Sequence, residues 1–431
     1  MSVNAVPVDV ASRVLQALDP EELIDLTASL IKCNSVYDPE AGTSEEEAAR
    51  LAARWAEREG FDVEVDQVAP GRPNVIVNYA AFEGERRLMF EGHTDVVTPG
   101  DVAAWKFDPF GAEIVGRRMY GRGTNDTKGN LAAMLVAMAA LKRSGVKLGG
   151  RIVGGVLCDE EDRMLGVQDF IRRGRADAVT AAVICEPQDG LICVRQKGAL
   201  RARFAVAGRM SHGAMPLSGL NPVAALPPIL DGLWRLEQQA IAAHGRDEFL
   251  GWPSFTPTVV KAPAKGAAQL NVVASSAEVL VDIRTIPSQV HPEIIVDLKA
   301  LALAAEATGR RAYADLDRRL GLERTLDLTV GVEILTDRPC TLTGRGEPVV
   351  TAAEWATRQV TGREPVLGGV LGATDGTYLW AWKNIPIVTM GAGDRYVPHQ
   401  VDEWVALDDL INTAKIYALT ALAYLYPQEA A

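Results

Sequence analysis

A chain of 431 residues is too long for one small core, and with 48% hydrophobic and 23% charged residues it has the make-up of a folded globular protein of two or three domains. The net charge of −12, from 44 basic and 56 acidic residues, disfavours nucleic acid or an anionic membrane as a partner and would suit a pocket that concentrates cations. The segment 1–10 lacks the basic and apolar parts of a signal peptide, and no apolar run reaches the ~18 residues of a membrane span. Five widely spaced cysteines (33, 158, 185, 193 and 340) with no Cys-x-x-Cys point to reduced thiols, so a cytoplasmic protein is expected.

Residues 9–32 place apolar side chains at helical spacing, with Asp19-Pro20-Glu21-Glu22 as a helix start. Ser44, followed by Glu45, Glu46 and Glu47, reads as an N-cap with an acidic first turn; its helix runs to Arg58 and closes at Gly60. Strands are expected at 61–68, 74–79 and 87–90, and a turn at Pro99-Gly100-Asp101. Residues 119–130 form a glycine-punctuated loop that runs into an apolar helix over 131–141. The strand 150–158 ends at Asp159-Glu160-Glu161, and the strand 181–185 ends at Glu186-Pro187. Strands and helices alternate, and acids follow the strands, where open α/β sheets place their sites.

The pattern changes after Lys197-Gly198. Strands at 200–206, 257–261, 270–274, 278–283 and 328–335, with helices at 221–240 and 292–305, make a compact β-α-β-β-α-β module. From residue 349 the alternation resumes, with a helix, a strand at 386–390, a His-bearing loop and a final helix at 407–424. The expected organisation is a discontinuous main domain, 1–198 and 338–431, interrupted by a smaller one, 199–337.

Of the five histidines, two follow strands. His93 and Asp95 emerge together in Phe90-Glu91-Gly92-His93-Thr94-Asp95, a pairing in which one residue binds a metal and the other fixes the imidazole tautomer or holds the loop. The strand-end set is His93, Asp95, Asp126, Asp159, Glu160, Glu161, Glu186 and His399. Two imidazoles and several carboxylates suit Zn²⁺, Mn²⁺ or Co²⁺. A two-metal site needs a bridging carboxylate and a base for the attacking water, and the set supplies both.

Gly92-His93-Thr94-Asp95, Gly121-Arg122-Gly123-x-x-Asp126-x-Lys128-Gly129, Asp159-Glu160-Glu161, Glu186-Pro187, Ser211-His212-Gly213 and the late His399 resemble, in order and over essentially the whole chain, the motifs of the M20 metallopeptidases. That family includes acetylornithine deacetylase, succinyl-diaminopimelate desuccinylase, aminoacylase-1 and carboxypeptidase G2. The resemblance implies an α/β fold: a mixed-sheet, phosphorylase/hydrolase-like catalytic domain with an inserted ferredoxin-like α+β lid. It implies that Asp126 bridges two divalent ions, that His93 and Glu186 complete one site, and that Glu161 and His399 complete the other. Asp95 would support His93, and Glu160 would be the general base. The peptide after Asp126 is expected to be cis. His212 would reach a neighbouring active site across a homodimer formed through the lid and stabilise the oxyanion there; a larger homo-oligomer is a further option. Asn271 and Arg284 match lid positions that hold the substrate, Arg284 by gripping a carboxylate. The bland alternative for Arg284 is a strand-edge salt bridge. His244 and His291 receive no role.

Three departures bear on the substrate. Asp162, Arg163 and Met164 stand where the family usually has small glycines. Gly372-Ala373-Thr374-Asp375-Gly376 is followed by Thr377 and Tyr378, where the desuccinylases carry an arginine that clamps a carboxylate. The loop before His399 carries Arg395 and Tyr396, suited to an aromatic or acidic substrate or simply to loop packing. The leading expectation is hydrolysis of an amide C–N bond in a small, carboxylate-bearing molecule. A second is hydrolytic deamination of an aromatic amine, such as an aminobenzoate, on the same site. A third, from another class, is a non-catalytic binding protein; the presence of all five ligand positions and the base ranks it last.

Overall fold

The computed structural model describes residues 6–80 and 84–427. Contacts divide the chain into two compact units: one holds the chain up to Arg195, Thr341–Val370 and the chain from Thr374 on; the other holds Gln196–Cys340 and Leu371–Ala373.

The first unit is built on a nine-stranded sheet. Four parallel strands form its centre, in the spatial order Gly150–Leu157, Arg86–His93, Ala181–Ile184 and Ile387–Thr389. Their register decides the site. His93 lies opposite Leu157, Glu91 opposite Ile184, and Ile184 opposite Thr389. All four strands therefore end at one level, and the segments that follow them emerge side by side.

Alternation along the central strand assigns its two faces. Phe90 points to Tyr417 of the helix Leu407–Leu425, with ring centroids 5.5 Å apart. Met89 joins a core of Phe170, Ile184, Leu379 and Ile387 on the other face, under the helices Leu165–Arg172 and Gly376–Lys383. Each such large side chain, fully buried, contributes about 1.5–3 kcal/mol. The helix Lys128–Arg143 is buried from Lys128 to Leu141, because it packs on the sheet and against Leu407–Leu425. Gly154 permits the approach: a Cβ there would stand 3.0 Å from Met138 Sδ.

The second unit carries a four-stranded antiparallel sheet, ordered Ser254–Lys261, Ser276–Thr285, Gly198–Ala207 and Thr329–Arg338. With the helices Leu226–His244 and His291–Leu320, this is the ferredoxin-like arrangement. The expected strand at 270–274 reduces to Val272–Val273, which pairs with Ser211–His212.

The helix start read at Asp19-Pro20-Glu21-Glu22 is found in the structure, and one local reading, the Ser44 cap, is corrected. The segment 9–32 holds two helices, Val8–Gln16 and Pro20–Lys32, because Asp19 caps the second and accepts Glu21 N at 3.0 Å. Ser44 does not cap its helix. Glu45 occupies the N-cap position of Glu46–Arg58 without capping it, its buried carboxylate being drawn to Arg72, Thr94 and Asp159 instead. All five cysteines are buried and free. Among the described residues, no helix is long and apolar enough to cross a membrane.

Candidate metal centre

The level strand ends bring the acidic segments together in the first unit. His93 Nε2 lies 3.2 Å from Asp126 Oδ1 and 3.3 Å from Glu186 Oε1. His399 Nε2 lies 3.0 Å from Glu161 Oε1 and 3.5 Å from Asp126 Oδ2. Two groups with ligand atoms within 4.8 Å of one another result: His93, Asp126 and Glu186, and Asp126, Glu161 and His399. Asp126 belongs to both and presents a different oxygen to each imidazole. One nitrogen and two carboxylates per group suit a borderline or hard divalent ion, and the shared carboxylate suits a pair of them.

Supporting contacts set the orientation. His93 Nδ1 lies 3.0 Å from the Asp95 carbonyl and 3.3 Å from Asp95 Oδ1, which leaves Nε2 to face the group. Asp95 Oδ1 also accepts Glu160 N at 3.1 Å, and Oδ2 accepts Glu161 N at 3.0 Å. One carboxylate thus holds the imidazole and the glutamate pair. The Asp126–Thr127 peptide is cis.

The electrostatics follow from burial and crowding. Burial disfavours charge on His93, but Asp126, Asp95 and Glu186 outweigh it and hold its pKa well above the usual imidazole value. Asp126 and Glu161 raise His399 to about 10. The field that stabilises these cationic rings would equally hold a divalent cation. Burial works against the charge of Asp126, yet His399 and His93 keep it well below the usual carboxylate range. Glu186 rises to about 7 through burial and the Asp126 charge. Burial pushes Glu160 well above the usual range; His93 opposes the shift, and Glu186, Asp375 and Glu161 add to it. A glutamate so raised holds a proton more readily than a free carboxylate.

Several buried charges had no assignment from sequence. Arg72 donates to Glu45 Oε1 at 2.7 Å, pairs with Asp159, and covers the Tyr37 ring at 3.7 Å. Asp159, at φ +64°, is held in the left-handed region by these contacts, immediately before Glu160. Glu91 is fully buried, with Glu186, His93, Glu160 and Asp375 as its charged neighbours. Glu403 is fully buried beneath the Asp126 loop. Their only signal in the sequence is adjacency: Glu91 two residues before His93, Glu403 four residues after His399.

The remaining sequence candidates lie in the second unit. His212 is exposed, and its Nδ1 accepts Ala214 N at 3.0 Å. Asn271, also exposed, accepts Gly213 N at 2.6 Å through its carbonyl. Arg284 Nε donates to Asp282 Oδ1 at 2.6 Å and Nη2 to Oδ2 at 3.2 Å, so it sits in a forked ion pair on its own strand. In the first unit, Arg163 is exposed, whereas Met164, Thr377 and Tyr378 are buried.

Residues 89–423 match the family model for peptidase family M20/M25/M40. A succinyl-diaminopimelate desuccinylase of Methylobacterium radiotolerans is 30% identical over 419 residues, covering 94% of this chain and 97% of that protein. Among solved structures, an M20 family metallo-carboxypeptidase from Sulfolobus solfataricus superposes with a TM-score of 0.74 at 19% identity, covering 94% of this chain and 99% of that one. A dinuclear metal binding peptidase of the M20 family from Bacillus subtilis superposes at 0.67 with 16% identity, covering 94% and 98%. The strand-end acids, the shared aspartate and these likenesses agree: the chain belongs to peptidase family M20/M25/M40 and is a metal-dependent hydrolase.

Proposed function

We propose that this protein hydrolyses an amide C–N bond in a small, carboxylate-bearing molecule, and that its strand-end side chains would hold two divalent ions, Zn²⁺, Mn²⁺ or Co²⁺. The observation that carries the reading is the sharing of Asp126 between two groups of nitrogen and oxygen donors. Divalent ions held there would supply Lewis acidity, making water more acidic and polarising a carbonyl. His93 and Glu186 would hold one ion, Glu161 and His399 the other, and Asp126 both. Glu160 takes the proton of the attacking water and delivers it to the leaving nitrogen. Asp95 keeps His93 and the Glu160-Glu161 backbone in place.

For the substrate, the desuccinylase relatives support an N-acyl amino acid. Thr377, buried where those enzymes are expected to carry a clamping arginine, argues against succinyl-diaminopimelate itself. Arg395 supports an anionic substrate: it is half-buried, and its hydrogen bonds run to the neutral acceptors Gln188 Oε1, Gly369 O and Cys193 Sγ. His212, Asn271 and Arg284 are assigned to the carbonyl oxygen and the substrate by the family resemblance, with His212 acting from the partner in a homodimer.

The test is a screen of chelator-stripped and metal-reloaded protein against N-acyl amino acids, dipeptides and aminobenzoates, with products identified by mass. Amide cleavage that disappears on stripping and returns with Zn²⁺, Mn²⁺ or Co²⁺ is expected. Ammonia release from an aminobenzoate without amide cleavage would replace this reading with deamination.

A further inference from the structure

The loop carrying Asp126 is neither helix nor strand over residues 121–127, so its backbone N–H groups need acceptors from elsewhere. One buried carboxylate collects three of them. Glu403 Oε1 accepts Gly123 N at 3.0 Å, Asn125 N at 2.9 Å and Asp126 N at 3.1 Å. Glu403 Oε2 meets Nη1 of Arg122, itself buried, at 2.5 Å. The Glu403 carbonyl accepts Gly121 N at 2.8 Å, and Asn125 Nδ2 reaches the Asp394 carbonyl at 3.1 Å. Gly123 makes the convergence possible: its φ is +88°, and a Cβ there would stand 2.9 Å from Val96 Cγ1.

These contacts join two distant parts of the chain at the centre. Asp126 belongs to both ligand groups, and Glu403 lies on the segment that follows His399, a member of one of them. A neutral side chain cannot replace the anion without loss. Glutamine would keep an oxygen for the three N–H groups only by turning its NH₂ onto Arg122, donor against donor; turned the other way, it would strand the N–H groups. Buried hydrogen bonds to a charged group are among the strong ones.

We propose that Glu403 is a positioning residue for the metal centre: it fixes the backbone of Asp126, and with it the aim of the shared carboxylate, to the segment that bears His399. The inference rests on the reading of Asp126 as a ligand shared by two ions. It concerns a contact to the backbone N–H of Asp126, not to its carboxylate.

The experiment measures Zn²⁺ affinity of the full chain by competition with a chromogenic chelator, for wild type, Glu403→Gln, Glu403→Asp and Phe170→Ala. Phe170 is buried in a hydrophobic core with Met89 and Leu379 and is not among the ligand candidates, so its truncation serves as a destabilised control. Glu403→Gln is expected to weaken Zn²⁺ binding about 10–100-fold, the usual cost of losing a partner that orients a ligand. Phe170→Ala should lower the melting temperature and leave affinity unchanged. Glu403→Asp keeps the charge but is one methylene short, so it should weaken binding and alter the visible bands of the Co²⁺-loaded protein. Should Glu403→Gln fail to fold, Glu403→Asp decides. Wild-type affinity and an unchanged Co²⁺ spectrum in a folded Glu403 variant would overturn the proposal, as would an affinity loss equal to that of Phe170→Ala. If the wild type itself binds no divalent ion, the two-metal reading fails first, and the two failures stay distinct.

Discussion

Asp95→Asn separates support of the centre from ligation. Each carboxylate oxygen of Asp95 accepts one backbone N–H, from Glu160 at 3.1 Å and from Glu161 at 3.0 Å, and Oδ1 also faces His93 Nδ1 at 3.3 Å. Asparagine is nearly isosteric and keeps one carbonyl oxygen. One of the two N–H groups therefore retains an acceptor, while the other meets an NH₂ group. A hydrogen bond to a charged group contributes about 1.5–3 kcal/mol. At about 1.4 kcal/mol per factor of ten, losing one weakens any equilibrium that depends on the loop's position by about 10–150-fold. Since Glu161 and His93 sit in different ligand groups, both ions should be bound less tightly, by an amount that overlaps the ~10–100-fold range for a lost orienting partner. The assay is competitive Zn²⁺ titration at fixed neutral pH, with thermal melting to show that the variant folds. A folded Asp95→Asn protein with wild-type affinity for both ions would refute the reasoning, because the two N–H contacts would then be dispensable.

Three further outcomes are expected. Glu160→Gln should keep its metal and lose about 10²–10⁴-fold in kcat, since an amide cannot accept the proton; retained kcat would place the base elsewhere. Asp375→Asn removes one of the charges that raise Glu160, after burial and Glu186. The base works deprotonated, so a lower pKa should carry the acid limb of kcat/KM to lower pH, and an unmoved limb would dissociate Asp375 from the base. His212→Ala should lower kcat about 10²–10³-fold without metal loss. Mixing it with Glu160→Gln under subunit exchange should restore part of the activity if His212 acts in trans, and a mixture that stays inactive despite proven exchange rules that out.

His93, Glu161 and Glu186 were legible because they follow strands, whereas Asp126 and His399, in loops, were placed by the motif resemblance. Leu88, Met89 and Phe90 before His93, and the apolar runs before Asp159 and Glu186, mark buried strands that end in acid, and acid is costly to leave at the end of a buried element without a purpose. Periodicity likewise identified the mixed α/β character, the β-α-β-β-α-β module and the buried helix that begins at Lys128. Local pattern failed where a side chain serves a distant partner. Ser44 has the sequence of a cap, but Glu45 takes the position and spends its carboxylate on Arg72, Thr94 and Asp159. Glu403 carries no local pattern that assigns it a role, and it is fully buried.

The sequence by itself therefore determined which residues can bind a cation, because residue chemistry and strand ends are local properties. Only the tertiary structure decided which of them meet. The common level of four parallel strands, set by backbone register, brings segments from residues 93 to 399 within ligand distance. Only the fold decided which charges are buried, because the desolvation that makes Glu91, Glu45 and Glu403 costly comes from packing by segments far away in the chain.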